Sequence, residues 1–168
     1  MQNERIATYE EFWPHYLSEH RDPTSRRLHF VGTTGFLASC VASAAINPIG
    51  FSLASLGFAA IFRDGMKKEG TKPSLPHVLG MIALPSLASP VFTAGVVWAY
   101  GFAWVGHFRF EKNKPATFGY PLWSLYSDFK MYSEMLRGRL WSGTDPVEQL
   151  GLRNERHVAP SNGARATA

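Results

Sequence analysis

A histidine and a glutamate that could bind a metal ion close the second of two long apolar stretches. His107 and Glu111 lie four residues apart in the segment that runs from Trp104 to Pro115. On an α-helix this spacing places both side chains on one face. An imidazole nitrogen and a carboxylate oxygen suit iron, zinc or manganese. Pro115 is predicted to end the helix, because proline cannot supply the next backbone donor.

Two further histidines come at the start of the first apolar stretch. Asp22 followed by Pro23 is typical of a helix start, so His20 is predicted to lie just outside a helix and His29 about two turns inside it. At 1.5 Å per residue, His29 lies roughly 9 Å along from Pro23. A histidine inside a membrane helix is costly to bury without a partner, which makes His29 a candidate functional residue.

Two uncharged stretches must position these histidines. Residues 28–62 and 73–108 contain no Asp, Glu, Lys or Arg. Each stretch has roughly 35 residues, enough for a helical hairpin and too many for one bilayer crossing of about 20. Asn47-Pro48 divides the first stretch and Ser89-Pro90 the second. We therefore predict an all-α fold, a four-helix transmembrane bundle of two hairpins. The predicted spans are residues 23–46, 48–67, 75–88 and 90–111.

Amphipathic segments flank the predicted bundle. A short aromatic helix is expected after Thr8, and apolar residues at helical spacing predict an interfacial helix over residues 122–140. Asp128 is interpreted as part of the polar face of that second helix. Residues 1–141 would form one membrane-embedded domain, and residues 142–168 a disordered polar tail. A soluble all-α bundle is the alternative, with which the mean hydropathy of −0.12 is compatible.

The basic residues lie in short clusters between the apolar stretches. The chain has a net charge of +4, which could indicate a nucleic-acid partner. The clusters are not interleaved with aromatic residues along a stripe, however, so we expect membrane topology and no nucleic-acid partner. Because positive loops stay in the cytoplasm, both termini are predicted to be cytoplasmic. His29 and His107 would then lie at the same cytoplasmic edge.

The motifs that contain these histidines resemble the 2-hydroxy fatty acid dioxygenase family, which was long catalogued as a domain of unknown function. The motifs are His20-x8-His29-x2-Gly32 before the hairpins and Trp104-x-Gly106-His107-x3-Glu111-Lys112-x2-Pro115-Ala116 after them. The resemblance covers roughly residues 9–141. Ser25 and Thr34 stand where the fungal branch is expected to have Asn and Pro. The chain therefore resembles a divergent bacterial branch, and an inner-membrane location is expected.

The resemblance implies a membrane-embedded iron(II) enzyme of fatty acid α-oxidation, with His20, His29 and His107 as metal ligands. Its substrates would be a long-chain 2-hydroxy fatty acid and O2, and its products carbon dioxide and the acid one carbon shorter. That conversion removes four electrons and O2 accepts four, so no co-substrate is required. A cation near the site should meet the substrate carboxylate. The candidates are Arg26, Arg27, Lys112 and Lys114.

The role of Glu111 is open between three interpretations. It could be a fourth metal ligand, or it could pair with Lys112 and Lys114 at the helix end. We favour a third role, in which Glu111 accepts a hydrogen bond from a ligating imidazole and fixes its tautomer. An iron site needs open positions for substrate and oxygen, which argues against a fourth protein ligand.

Other functions also use histidines in helical bundles. A haem protein could use His29 and His107 as axial ligands, but His20 and Glu111 would then have no role. A zinc-dependent membrane lipid hydrolase could use three histidines. Di-iron hydroxylases need more than the six histidines present, of which His77 and the tail residue His157 are poorly placed. A non-catalytic membrane bundle is the remaining alternative.

Overall fold

Seven α-helices make up the fold of the computed structural model, which describes residues 5–72 and 74–152. No strand occurs in these residues, so the predicted all-α class is confirmed. The helices are α1 (Tyr9–Ser18), α2 (Pro23–Ile46), α3 (Pro48–Lys68), α4 (Leu75–Ala88), α5 (Pro90–Val105), α6 (Pro121–Leu136) and α7 (Pro146–Gln149). A π-helical turn, Gly106–Glu111, continues α5, and a 3-10 turn, Ala116–Phe118, precedes α6.

Capping residues followed by proline start the apolar helices, as predicted. The Asp22 carboxylate accepts a hydrogen bond from the Thr24 amide at 2.7 Å, and the Asn47 side chain accepts one from Gly50 at 3.1 Å. These bonds satisfy amides that have no partner inside the helix. The last apolar segment ends at Glu111, which confirms the predicted span of residues 90–111. What ends it is the left-handed conformation of Lys112, with φ 55°, and not Pro115 as predicted.

The four apolar helices form two hairpins whose turns meet at one end. The Asn47 amide donates to the Ala88 carbonyl at 3.0 Å, and the Ser89 hydroxyl donates to that of Ser43 at 2.9 Å. Ser43 and Ser89 are buried, so these bonds satisfy polar groups of both turns. The start of α2 and the end of α5 therefore lie together at the opposite end, as the predicted hairpins require.

Small residues allow α2 and α5 to pack closely along their length. A Cβ atom added to Gly32 would lie 3.2 Å from the Ala99 carbonyl oxygen, and one added to Gly95 would overlap the Ser39 side chain. Apolar helices associate through such small residues because they let the backbones approach. This contact holds the first turns of α2 against the end of α5.

Outside the hairpins, α1 and α6 form a compact aromatic core with the segment that follows α6. We call this part the cap. Its buried apolar residues are Ile6, Phe12, Trp13, Tyr16, Leu17, Trp123, Met131, Met135, Leu140 and Val147. The aromatic rings pack edge to face and in tilted stacks, for example Phe12 against Trp123 at a centroid distance of 5.6 Å. The cap covers the charged end of the hairpins.

The structure corrects two predictions for the C-terminal part of the chain, the end of the interfacial helix and the start of the disordered tail. The helix predicted over residues 122–140 ends at Leu136, because Gly138 has φ +80° and its amide donates to the Met135 carbonyl at 3.0 Å. The predicted disordered tail does not begin at Ser142, since α7 is ordered and Val147 is buried against the cap. Residues 153–168 lie outside the described residues.

Two helical segments are long and apolar enough to cross a membrane by length and composition, Pro23–Ile46 and Pro90–Glu111. Only 22% of the most apolar 18-residue window of each is buried inside the protein. A core helix of a soluble protein would be mostly buried, so the exposed apolar surface is unusual. Large exposed side chains on these segments include Val41, Ile46, Val97, Trp98 and Phe108.

Replacing Gly32 with leucine should separate α2 from α5. Overpacking of this kind costs about 1–3 kcal/mol, because the new side chain meets the Ala99 backbone, which cannot move without the helix. Gly101→Leu on the same helix pair is the matched control, since a Cβ there meets nothing within 4 Å in the described part of the chain. Thermal unfolding in detergent should show a lower midpoint for Gly32→Leu only. Equal midpoints for the two variants would contradict the close packing.

Candidate metal centre

Three buried imidazoles converge where the cap meets the hairpins. Nitrogen atoms of His20, His29 and His107 lie within 4.8 Å of one another. The centre of a triangle of this size lies at most about 2.8 Å from each nitrogen atom. Metal–nitrogen bonds are about 2.0–2.1 Å long. Small movements of the three rings would therefore close them on one ion. The side chains are 0%, 7% and 3% exposed, respectively, so the nitrogen atoms are shielded from bulk water.

A different element positions each histidine. His20 follows the end of α1, and its amide donates to the Leu17 carbonyl at 3.0 Å. His29 lies two turns into α2, as predicted, and His107 lies in the π-helical turn. π-Helical turns widen a helix locally and are frequent at functional sites. The antiparallel packing of α2 and α5 brings the last two histidines to the same end.

The hydrogen bonds at Nδ1 determine the tautomer of all three histidines. His20 Nδ1 lies 2.6 Å from the Tyr16 carbonyl oxygen, His29 Nδ1 2.7 Å from an Asp128 carboxylate oxygen, and His107 Nδ1 2.8 Å from the Asn113 amide oxygen. Each partner atom is an acceptor, so each Nδ1 must carry a proton and donate it. In the neutral ring, Nε2 then carries a lone pair.

The Nε2 atoms of His20 and His29 are buried and have no hydrogen-bond partner among the described residues. Burial, and then the neighbouring His29 and His107, hold the pKa of His20 well below its usual value, so His20 is neutral near pH 7. Buried acceptors without partners are costly, and a cation at the centre of the triangle would satisfy all three. Three neutral imidazoles suit iron, zinc or copper. The residues therefore fit a metal ion.

Asp128 is the residue around which the hydrogen bonds of the site are organised. One carboxylate oxygen accepts from His29, and the other accepts from the Thr33 hydroxyl. Burial, and then this carboxylate, hold the pKa of the Tyr16 hydroxyl well above its usual value. The interpretation of Asp128 as part of a solvated polar face is wrong, because α6 packs that face against α2. A carboxylate bonded to a ligating imidazole fixes its orientation and raises its basicity.

Asn113 accepts a hydrogen bond from His107 Nδ1, as Asp128 does from His29 Nδ1. This role of Asn113 was not predicted from the sequence. Its amide nitrogen donates to the backbone carbonyl of Glu19 at 2.9 Å and to the Glu19 carboxylate at 2.8 Å. These bonds require the amide oxygen to face His107 and tie the turn after α5 to the end of α1. The only signal in the sequence is its position six residues after His107.

Glu111 lies away from the position predicted for it. Its carboxylate accepts a hydrogen bond from the Asp22 amide at 2.9 Å, just before the start of α2. This bond directs the Glu111 carboxylate to the start of α2, whereas His107 Nδ1 is bonded to Asn113. The hydrogen bond to a ligating imidazole that we expected from Glu111 is made by Asn113. A catalytic role for Glu111 stays a prediction.

The structure places the predicted carboxylate-binding residues outside the cavity beside the histidines. The fully buried guanidinium of Arg26 donates to the carbonyls of Leu140, His20 and Arg21 at 2.7 to 2.8 Å, and also to that of Ser142. Arg26 therefore holds the His20 loop against the cap. The three other candidates, Arg27, Lys112 and Lys114, are exposed.

A cavity opens beside His29 and His107. The hydroxyl groups of Thr33, Tyr100, Thr117 and Ser124 lie in its wall, together with the Asp128 carboxylate. The remaining lining residues are Tyr16, His29, Ala99, Ala103, Trp104, His107, Pro115, Ala116, Pro121 and Leu125. None of the lining residues is Lys or Arg. The cavity thus offers a ligand two imidazoles, the Asp128 carboxylate and neutral hydroxyl groups.

Replacing Arg26 with lysine should destabilise the fold by about 3 kcal/mol or more, because several buried carbonyls would lose a charged donor. The His20 loop should loosen with it, so metal content should fall. Arg27→Lys is the adjacent control. Arg27 is exposed and donates only to Trp141 at 3.2 Å, so its replacement should change stability by about 0.5 kcal/mol or less. Unfolding midpoints and metal analysis of the purified variants test this, and an unchanged midpoint for Arg26→Lys would contradict it.

Replacing Asp128 with asparagine should weaken metal binding by about 10–100-fold, since it removes the charge that makes His29 a stronger ligand. Glu111→Gln is the matched control, because a glutamine oxygen can still accept from the Asp22 amide. Competition with a chelator of known affinity measures both. If Glu111→Gln weakened binding as much as Asp128→Asn, the assignment of the two carboxylates would be wrong.

A family model described as 2-hydroxy-palmitic acid dioxygenase Mpo1-like matches residues 6–140 of the chain. The matched segment contains the three histidines together with Asn113 and Asp128. A search of curated proteins and a search of solved structures found no match.

Proposed function

The chain belongs to the 2-hydroxy-palmitic acid dioxygenase Mpo1-like family, and from this premise we propose that it is a membrane-embedded, iron(II)-dependent dioxygenase. Its substrate would be a long-chain 2-hydroxy fatty acid. The products would be the fatty acid one carbon shorter, carbon dioxide and water. Atoms and electrons balance with one O2 per substrate, because the substrate loses four electrons and O2 accepts four.

The observation that carries the proposal is the set of three Nε2 lone pairs. His20, His29 and His107 would hold the iron from one side, and the cavity would leave its other side open. When bound, iron(II) would supply Lewis acidity and the electrons that activate O2. The Tyr16 carbonyl, Asp128 and Asn113 would keep the three rings in the tautomer that binds a metal.

The lining of the cavity supports recognition of the substrate by the metal and by neutral hydroxyl groups. Since the lining residues include no Lys or Arg, the charge of the substrate carboxylate would be balanced at the metal. Tyr100, Thr117 and Ser124 could donate hydrogen bonds to the carboxylate or to the 2-hydroxyl group. Ser124 is suited to this, because its hydroxyl is buried and has no partner among the described residues.

The exposed apolar surface of the hairpins supports a location in the membrane. We propose that all four hairpin helices are embedded, although only two pass a test of length and composition. Arg63, Lys67 and Lys68 lie at the end where α2 starts, with Arg109 and Lys112 after α5, whereas the turns at Asn47 and Ser89 carry no charge. By the positive-inside rule, the metal site and both termini would face the cytoplasm, and the bacterial inner membrane fits this arrangement.

The mutual distances of the rings support a single metal ion over haem. The His20 ring centroid is 4.7 Å from that of His29 and 4.7 Å from that of His107, and the last two are 5.3 Å apart. Axial haem ligands lie on opposite faces of a macrocycle, and this nearly equilateral triangle leaves no room for one. A zinc hydrolase would fit the same triangle, so metal identity has to be measured.

Purified protein reconstituted anaerobically with iron(II) should consume one O2 per 2-hydroxypalmitate and release one carbon dioxide and one pentadecanoate. Chelation should abolish O2 uptake, iron(II) should restore it, and zinc(II) should not. The variants His20→Ala, His29→Ala and His107→Ala should each lose iron. Fully iron-loaded protein that consumes no O2 with any 2-hydroxy acid would refute the proposal, and ester or amide hydrolysis supported by zinc would favour the hydrolase.

A further inference from the structure

We propose that a second, apolar cavity, which shares part of its lining with the first, holds the acyl chain of the substrate, and that Met81 and Phe92 close it and limit the chain length. This inference rests on the proposed function and adds a binding site to it. The walls come from α2, α3, α4, α5 and α6, so the chain would lie inside the hairpins and not along their outer surface.

The two cavities share a wall. Residues common to both are Thr33, Ala99, Tyr100, Pro121, Leu125 and Asp128. Ala99 and its neighbour one turn on, Ala103, are small, so α5 leaves space between the two cavities. In the proposed complex, a molecule whose polar end lies at the histidines would extend past Ala99 into the second cavity.

The polarity of the lining changes along the cavities in the way that a 2-hydroxy fatty acid requires. The first cavity is lined by two of the histidines and by five residues that carry a hydroxyl group. Beyond the shared wall, the second is lined by Phe36, Phe58, Ile82, Val96 and Phe129. Transfer of each methylene group from water to such a site improves binding by about fourfold. The apolar cavity would thus supply most of the affinity, and the histidine end the position of the reacting carbon.

The depth of the cavities along α5 matches a long chain. Lining residues recur on one face of the helix from His107 through Ala103, Ala99 and Val96 to Phe92. At 1.5 Å per residue, His107 and Phe92 are about 22 Å apart along the axis. An extended chain of single bonds advances about 1.2 Å per bond, by analogy with an extended polypeptide. The cavities therefore accommodate about 18 bonds.

The far end is closed by side chains that are themselves fixed. Met81 is 2% exposed and Phe92 3% exposed. The Phe92 ring packs against Phe36 at a centroid distance of 5.5 Å and against Phe51 at 5.9 Å. A chain that is too long would have to displace a packed aromatic ring, which is why chain length should be limited here.

Two neighbouring valines on α5 provide a matched test. Val96 lines the cavity, whereas Val97 is 68% exposed on the outer surface. Val96→Phe should block the cavity about 16 Å from His107, near the fourteenth bond. Affinities of 2-hydroxy acids with 12, 16 and 20 carbons are measured by calorimetry under argon on iron-loaded protein, where no turnover occurs. The ratio of 16-carbon to 12-carbon affinity should fall at least tenfold in Val96→Phe and stay unchanged in Val97→Phe. Phe92→Ala should improve binding of the 20-carbon acid.

Photo-crosslinking of the wild-type protein tests the site without any variant that could fail to fold. The probe is 2-hydroxyhexadecanoic acid with a diazirine at carbon 15, and mass spectrometry locates the label. Label at Met81 or Phe92 supports the inference, and label confined to outward-facing residues such as Val97 or Leu87 overturns it. Equal effects of the two valine variants would also overturn it. Crosslinking at Met81 without O2 consumption would refute the proposed reaction and leave the acyl site standing.

Discussion

The convergence of three imidazole lone pairs in a buried site is the constraint on which the rest of the structure depends. Each unsatisfied buried acceptor costs about 1–3 kcal/mol, and the Nε2 atoms of His20 and His29 are two such acceptors among the described residues. The fold maintains this arrangement because every Nδ1 is held by an acceptor from a different place: a helix carbonyl, a carboxylate and an amide. A bound cation would convert the cost into a contribution to stability.

The same three histidines join the two parts of the molecule. His20 belongs to the aromatic cap, whereas His29 and His107 belong to the apolar hairpins, and Asp128 reaches from α6 to α2. Arg26 of α2 adds a second link, because it donates to the Leu140 carbonyl after α6 and to the His20 carbonyl after α1. A metal ion between them would therefore couple the packing of the cap to that of the hairpins, so loss of either should loosen the other.

Local signals in the sequence were sufficient for the helix starts, and the family resemblance singled out the three histidines that the structure brings together. Neither indicated which residues orient their rings. Proline after a capping residue is a local pattern, so the predicted helix starts were right. The meeting of His29 and His107 followed from the hairpin topology. The partnership of His29 with Asp128 spans 99 residues and depends on which face of α6 packs inward, which periodicity alone did not resolve. Glu111 was misplaced because its spacing from His107 does not reveal that the Asp22 amide, 89 residues away in the sequence, donates to its carboxylate.

The position of the site at the end of the hairpins would suit the two properties that the proposed substrate, a 2-hydroxy fatty acid, combines. Its head needs a metal and hydroxyl donors, which require polar protein groups held in place by buried hydrogen bonds. Its tail needs apolar walls, which the hairpin helices already provide. In a bilayer, the level at which charged residues give way to uncharged helix is where such a molecule places its own boundary between head and tail. A site at that level would match the proposed substrate in polarity along its whole length, so its binding would require little transfer of polar groups into hydrocarbon.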